Sequence, residues 1–396
     1  MRMKFFLLQI VICCIVAAGC AEMSRPAEKS AAVPAAPAAP APAAAETPAP
    51  AAKSDPAKPA FQPPVLSHPD SWSLVVVPDV QAYVERPRNH GILDIMNSWI
   101  VENREALKIS QVLFTGDLVF RNDPHRPMPA RTLIADEQWK AFSRLMKRLD
   151  GEIPYILCTG NHDYGRASAE SRDTHFGEYF PTDRNPLTRR ELVECAYNGK
   201  GAATLENAAY EFTAPAPDNR KFLVISLEFA PRDNVLKWAK NLADQPRFAN
   251  HIGIVLTHSY LRRNGERFTE EKYKLSKAGG NAGEGIFRKL VYPAKNIRLV
   301  VCGHIAVADK WEGGVVFSTD RNSSGKTVAQ MAFNTQAIGG GFHGSGGDGW
   351  LRLLEFMPDR KTVKATTFSP LFAISPSTRH LAWRHEPLNE FTFELE

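Results

Sequence analysis

At 396 residues with a formal net charge of +5, the chain is long enough for one large domain or two ordinary ones, with a substantial core. Its 48 Lys and Arg nearly balance its 43 Asp and Glu. No Lys/Arg-rich run carries interleaved aromatics, so composition gives no support for nucleic-acid binding. The 6 cysteines fall at irregular positions and form neither a disulfide framework nor a zinc-type pair.

In chain order, MRMKFFLLQIVICCIVAAGC has basic Arg2 and Lys4, an apolar stretch from Phe5 to Val16, and small residues before Cys20. That is a secretory signal pattern, too short for a comfortable membrane span. Its ending, AAGC, resembles a bacterial lipobox, which implies lipidation of Cys20 as the mature N-terminus. Plain secretion with cleavage near Ala18 is the alternative. Residues 21–70, Ala/Pro-rich over most of their length, cannot bury enough apolar surface to offset their ordering entropy and are expected to be a disordered, extended tether. The division is thus a signal at 1–20, a linker at 21–70 and a globular body at 71–396. Ala21 after the cysteine leans towards the outer membrane, so the expected location is the cell envelope, lipid-anchored at the periplasmic face of the outer membrane. Oligomeric state stays open.

The body alternates short β-branched runs with amphipathic ones. SLVVV (73–77), QVLFT (111–115), PYILCT (154–159), FLVISL (222–227), IGIVLT (252–257) and RLVVC (298–302) predict buried strands. Helical patterns run from Gly91 to Ala106, Asp136 to Leu149, Asn234 to Ala243 and Gly283 to Leu290. This alternation argues for α/β layering with at least one mostly parallel sheet. The glycine-rich loop GGGFHGSGGDG (339–349) lacks the G-x-x-x-x-G-K-[ST] pattern and is no nucleotide cradle. WLRLLEF and TVKATTF after it predict antiparallel strands closing the domain.

Five of the six runs end in a polar or metal-competent residue: Pro78-Asp79-Val80-Gln81, Gly116-Asp117, Gly160-Asn161-His162-Asp163, Thr257-His258 and Gly303-His304. Ligands of open α/β sheets bind beyond the carboxyl ends of the strands, and a preceding glycine allows a sharp turn and close backbone approach. Singly, each residue reads as a turn, a cap or a satisfied histidine. In this order, each at a strand end, they are read together as one candidate ligand-binding site.

The series PDVQ, TGDLVF, TGNHDYG, LTHSY and CGHIA resembles the calcineurin-like metallophosphoesterases, whose motifs are D-x-H, G-D, G-N-H-[DE], a single histidine and G-H-x-H. The resemblance covers about residues 73–310. NREALKISQVLFTGDLV, LDGEIPYILCTGNHDYG and GGDGWLRLLEF are similar to a bacterial branch opening with P-D-x-Q. It implies an α/β fold, a two-sheet β-sandwich flanked by helices, and two divalent ions bridged by an aspartate and a hydroxide that hydrolyse a phosphoester. Position by position, Asp117 would bridge, and Asn161, His258 and His304 would complete the second ion's shell, a donor set suited to Mn, Fe or Zn. The first ion would keep Asp79, Asp117 and Gln81, while Ala306 replaces its last histidine. That oxygen-rich remainder favours Mg, Mn or Ca, and position 306 is expected to limit the first ion.

His162 matches the family's non-ligand histidine, the general acid, and Asp163 would orient its loop. Arg172 and His175 are candidate substrate contacts. His343 is a candidate substrate contact or replacement ligand, against a plain loop residue. Phe120 stands where purple acid phosphatases carry a tyrosine, and no G-x-S-x-G elbow appears. The expected function is an envelope-anchored phosphoric ester hydrolase. The alternative is a non-catalytic metal-binding or scaffold lipoprotein that has lost the first ion. Among monoesters, diesters, nucleotides, lipids and phosphoproteins, the residues do not choose a substrate.

Overall fold

A computed structural model describes residues 61–123 and 131–395. The signal, Cys20 and most of the linker lie outside the described residues. The strands and longer helices are β1 (Trp72–Val77), α1 (His90–Asn103), β2 (Ile109–Phe114), α2 (Ala135–Met146), β3 (Tyr155–Leu157), β4 (Leu192–Tyr197), β5 (Ala203–Thr213), β6 (Lys221–Ser226), α3 (Asp233–Ala243), β7 (Ile252–Leu256), β8 (Ile297–Cys302), β9 (Val315–Arg321), β10 (Thr327–Phe333), β11 (Leu351–Phe356), β12 (Thr362–Phe368), β13 (Trp383–Arg384) and β14 (Phe391–Glu394).

They form two sheets, one ordered β13-β12-β11-β1-β2-β3 with β14 also on β12, the other β4-β5-β6-β7-β8-β10-β9. Both are mixed. β1, β2 and β3 run parallel, as do β6, β7, β8 and β10, with antiparallel strands at the edges. β11 and β12 are the antiparallel pair expected of WLRLLEF and TVKATTF, and β11 joins β1 with Leu74 opposite Leu354.

The period-2 alternation of β1 sets the layers. Leu74 and Val76 face the second sheet, in a core with Leu113, Tyr210, Val224 and Met331. Val75 and Val77 face the other way, under α1 and α2, against Met96, Ile100 and Phe142. On the far side, Ile225, Val255 and Val300 lie under Val235, Leu236 and Leu242 of α3. The result is a helix–sheet–sheet–helix stack. Each fully buried aliphatic in it contributes about 1.5–3 kcal/mol.

Two expectations shift. The helix expected from Gly283 to Leu290 is a short α-turn, Gly283–Ile286, continued by a π-helical turn, Phe287–Val291. Packing begins before Ser71: Phe61 and Leu66 lie against the core, Trp383 Nε1 donates to the Gln62 carbonyl at 2.9 Å, and Ser67 Oγ donates to Glu355 at 2.8 Å.

Candidate metal centre

The parallel strands of both sheets end at one place. Asp79 follows β1, Asp117 follows β2, Asn161 and His162 follow β3, His258 follows β7 and His304 follows β8. Two glycines make the approach. A Cβ on Gly160 would sit 2.1 Å from Asp117 Oδ1, and one on Gly303 would sit 2.1 Å from Asp79 Oδ1. Asp117 (φ 50°) and His304 (φ 73°) adopt left-handed backbone despite carrying side chains, strain that clusters at functional sites.

Hydrogen bonds fix where each lone pair points. His258 Nδ1 lies 2.8 Å from the Thr115 carbonyl, so a proton sits there and Nε2 is the nitrogen turned towards the site. His304 Nε2 lies 3.1 Å from Glu271 Oε1, which leaves Nδ1 bare. Asn161 Nδ2 donates to Ser168 Oγ at 2.7 Å, turning Oδ1 inward. From His258 Nε2 it is 3.1 Å to His304 Nδ1, 3.2 Å to Asn161 Oδ1 and 3.3 Å to Asp117 Oδ2.

Asn161 Oδ1, Asp117 Oδ2 and His304 Nδ1 thus all approach the one ring nitrogen of His258. A tetrahedral ion with bonds near 2.1 Å would space its ligand atoms roughly 3.4 Å apart. One carboxylate, one amide oxygen and two imidazoles suit a borderline divalent cation. The residues expected to hold the second ion therefore fit one.

The charges say the same. Burial works to lower the His258 pKa, but Asp117 and Asp79 outweigh it and push it up to about 10, so without an ion a proton on Nε2 fills the place a cation would take. Burial likewise works to raise the Asp117 pKa, yet His258 and His162 hold it well below the usual carboxylate range. Burial, with Asp117's charge adding to it, pushes Asp79 up to about 7. Two buried carboxylates this close call for positive charge between them. Asp79, Asp117 and His258 offer ligand atoms all within 4.8 Å of one another.

The first-ion half differs. Asp79 Oδ1 accepts from Thr115 Oγ1 at 2.9 Å. Asp79 Oδ2 accepts from Asn334 Nδ2 at 2.6 Å and from the His304 N–H at 3.1 Å. Gln81 Nε2 donates to Asp117 Oδ2 at 3.0 Å. Gln81 Oε1 is buried without a hydrogen-bond partner among the described residues. Ala306 offers no ligand atom.

His162 donates its backbone N–H to Asp117 Oδ1 at 2.9 Å. Its ring stacks on Phe120 at 5.0 Å, with Nδ1 3.0 Å from the Phe120 carbonyl. Burial, the largest cause, lowers its pKa. Asp163 Oδ1 accepts from the N–H groups of Leu118 and Val119, and Oδ2 from Gly160. It latches the loops that carry Asp117 and Asn161.

A cavity of about 730 Å³ opens onto Asp117, Asn161, His162 and His304, and its rim carries Arg262, Arg263 and Lys272. Arg172 and His175 do not line it. Arg172 pairs with Glu228 and the Phe229 and Ala230 carbonyls, and His175 pairs with Glu178. His343 lies beside the cavity residue Phe342 but bonds Arg86 at 3.1 Å.

Sequence reasoning missed Asn334, Glu271 and the cationic rim. Asn334 follows β10, which runs parallel to β8, so the strand-end rule reaches it once β10 is recognised.

A model of the family described as calcineurin-like phosphoesterase matches residues 73–308, and the chain belongs to that family. Among similar proteins is the uncharacterized protein YvnB of Bacillus subtilis (strain 168), 27% identical over 305 residues, 76% of this chain and 20% of that protein. The chain thus spans about a fifth of that relative's length. A dimetal phosphatase from Danio rerio is similar at a TM-score of 0.45 with 13% identity, covering 82% of this chain and 99% of that one. The purple acid phosphatase PPD1 of yellow lupin (Lupinus luteus) follows at 0.43 and 14%, covering 84% and 55%. GAP50, the anchor in the inner membrane complex of Plasmodium, stands at 0.42 and 11%, covering 82% and 89%. At these scores the three carry no argument about chemistry.

Proposed function

We propose that the protein is a metal-dependent phosphoric ester hydrolase, held at the bacterial cell envelope by a lipid on Cys20. The observation that carries the hydrolase reading is the approach of Asp117 Oδ2, Asn161 Oδ1 and His304 Nδ1 to His258 Nε2 within 3.3 Å, beside a cavity with a cationic rim. An ion held by these four residues supplies Lewis acidity towards a phosphoryl oxygen and acidifies a bound water.

The chain does the rest. Arg262, Arg263 and Lys272 attract an anionic substrate into the cavity. Glu271 and the Thr115 carbonyl keep both imidazoles in the ligating tautomer. His162 keeps a proton on Nδ1 towards the Phe120 carbonyl, which leaves Nε2 to exchange a proton with the leaving oxygen. The expected test outcome is metal-dependent release of phosphate or alcohol from a panel of generic esters, abolished by chelation. No release from any ester with Mg, Mn, Fe, Zn or Ca would sink the reading. For the anchor, labelled palmitate should follow the mature protein and be lost in Cys20→Ser.

A second reading, a metal-binding scaffold lipoprotein, is favoured by one observation: Gln81 and Ala306 stand where the family has imidazoles. A stable ion without turnover of any ester would select it.

A further inference from the structure

We propose that the family's first cation has been replaced in this chain by two amide groups, those of Gln81 and Asn334, so that the centre holds one ion. The inference rests on the reading of Asp117, Asn161, His258 and His304 as ligands of the other ion.

Asn334 carries most of the argument. Its Oδ1 accepts the Gln336 N–H at 3.0 Å. That bond fixes which end of the amide faces Asp79, so the 2.6 Å contact to Asp79 Oδ2 is an N–H donation. Rotating the amide would set its oxygen against a carboxylate oxygen and its NH₂ against a backbone N–H. The His304 N–H also bonds that Asp79 oxygen at 3.1 Å, and the other oxygen accepts from Thr115 at 2.9 Å. Each carboxylate oxygen therefore already accepts a hydrogen bond. Crowding adds to this, because Gly303 packs so closely that a Cβ there would lie 2.1 Å from Asp79 Oδ1.

On Asp117, Oδ2 is the shared oxygen. It lies 3.3 Å from His258 Nε2 and accepts from Gln81 Nε2 at 3.0 Å. The oxygen that would be shared by two ions is thus already bonded by the residue standing at the family's first-site position. Gln81 is 2% exposed, so water does not compete for the contact.

Amide N–H groups satisfy carboxylate lone pairs without adding charge. The missing imidazole at 306 and the amide at 81 are thus two parts of one change, and Asn334 completes it.

The experiment is metal counting on the full chain, purified and equilibrated with excess Mn or Zn and measured by native mass spectrometry with elemental analysis. One ion per chain is expected, and the Mn-loaded protein should give the electron paramagnetic resonance hyperfine pattern of an isolated ion. Two tightly held ions, or the exchange-coupled pattern of a pair, would overturn the replacement and leave the hydrolase reading standing. No bound ion would overturn both. An inactive protein with one ion supports the replacement and sinks the hydrolase. A triple variant, Gln81→His with Ala306→His and Asn334→Ala, should take up a second ion. If it folds by circular dichroism and thermal melting yet stays at one, the amides are not what excludes the second ion.

Discussion

The two halves of the centre share Asp117 and are opposites in hydrogen-bond arithmetic. Around His258 Nε2, three acceptor atoms lie at 3.1, 3.2 and 3.3 Å, an arrangement that only a proton or a cation at that nitrogen reconciles. Around Asp79, each carboxylate oxygen already has an N–H or O–H. A buried acceptor left unsatisfied costs about 1–3 kcal/mol. The His258 half therefore needs a proton or a cation at its centre, whereas the Asp79 carboxylate is bonded without one and Gln81 Oε1 is the acceptor left over there. What identifies an ion site is an excess of lone pairs after the hydrogen bonds are counted, rather than the presence of aspartate and histidine.

The most damaging change to this contrast is His258→Ala, which removes the atom all three distances share. Bound ion is expected to fall below detection. Turnover should drop by several kcal/mol of transition-state stabilisation, about 10³-fold or more. Elemental analysis alongside phosphate release checks both; retained metal would mean the acceptors are organised around something else.

Next in size is His162→Ala. Its side chain faces the cavity but is absent from the ligand set, so ion content should stay unchanged while kcat falls about 10²–10⁴-fold. The loss should be smaller for a nitrophenyl ester, whose leaving group needs no proton. Because burial lowers the His162 pKa, the protonated ring exists only below the ordinary imidazole range. With an alkyl ester, kcat should therefore fall as pH rises through that lowered pKa, and the alanine variant should lose this descent. A variant that loses metal and activity together would assign His162 to the ligand shell.

Glu271→Ala comes third. Removing the carboxylate that holds His304 Nε2 frees the ring to swap tautomers, and metal affinity should weaken about 10–100-fold. Glu271→Gln, which keeps an acceptor oxygen, should recover part of it in a competitive chelator titration. Equal loss in both would point to charge rather than tautomer control.

These three residues were unequally legible. His258 and His162 follow apolar runs that became β7 and β3, and a strand's carboxyl end is where an α/β sheet puts its chemistry. Glu271 sits in ERFTEEKYK, a stretch that reads as solvated. Nothing local distinguishes it from Glu266 and Glu270; the selection is made by Ser259 and His304, which turn this one side chain inward. Asn334 was hidden by its strand. TVAQMAF carries Gln330 mid-run, and that polar group is buried only because Tyr260 Oη and Arg267 Nη1 donate to it. Arg172 and His175 show the converse: polar loop residues that the sequence leaves open are paired here with Glu228 and Glu178.

The smallest expected effect is the sharpest test of the contrast. From the motif pattern, position 306 limits the first ion, so Ala306→His alone should restore it. With the amides counted, the imidazole arrives at a place where Asp79 is still bonded to Asn334 and Asp117 to Gln81. Neither carboxylate oxygen is released by a side chain added at 306. The ion count should stay at one and kcat should change by less than about twofold, within ~0.5 kcal/mol. A second ion in that single variant would mean that the missing ligand, not the amide donors, sets the stoichiometry, because a cation bound there would have displaced two hydrogen bonds to reach its carboxylates.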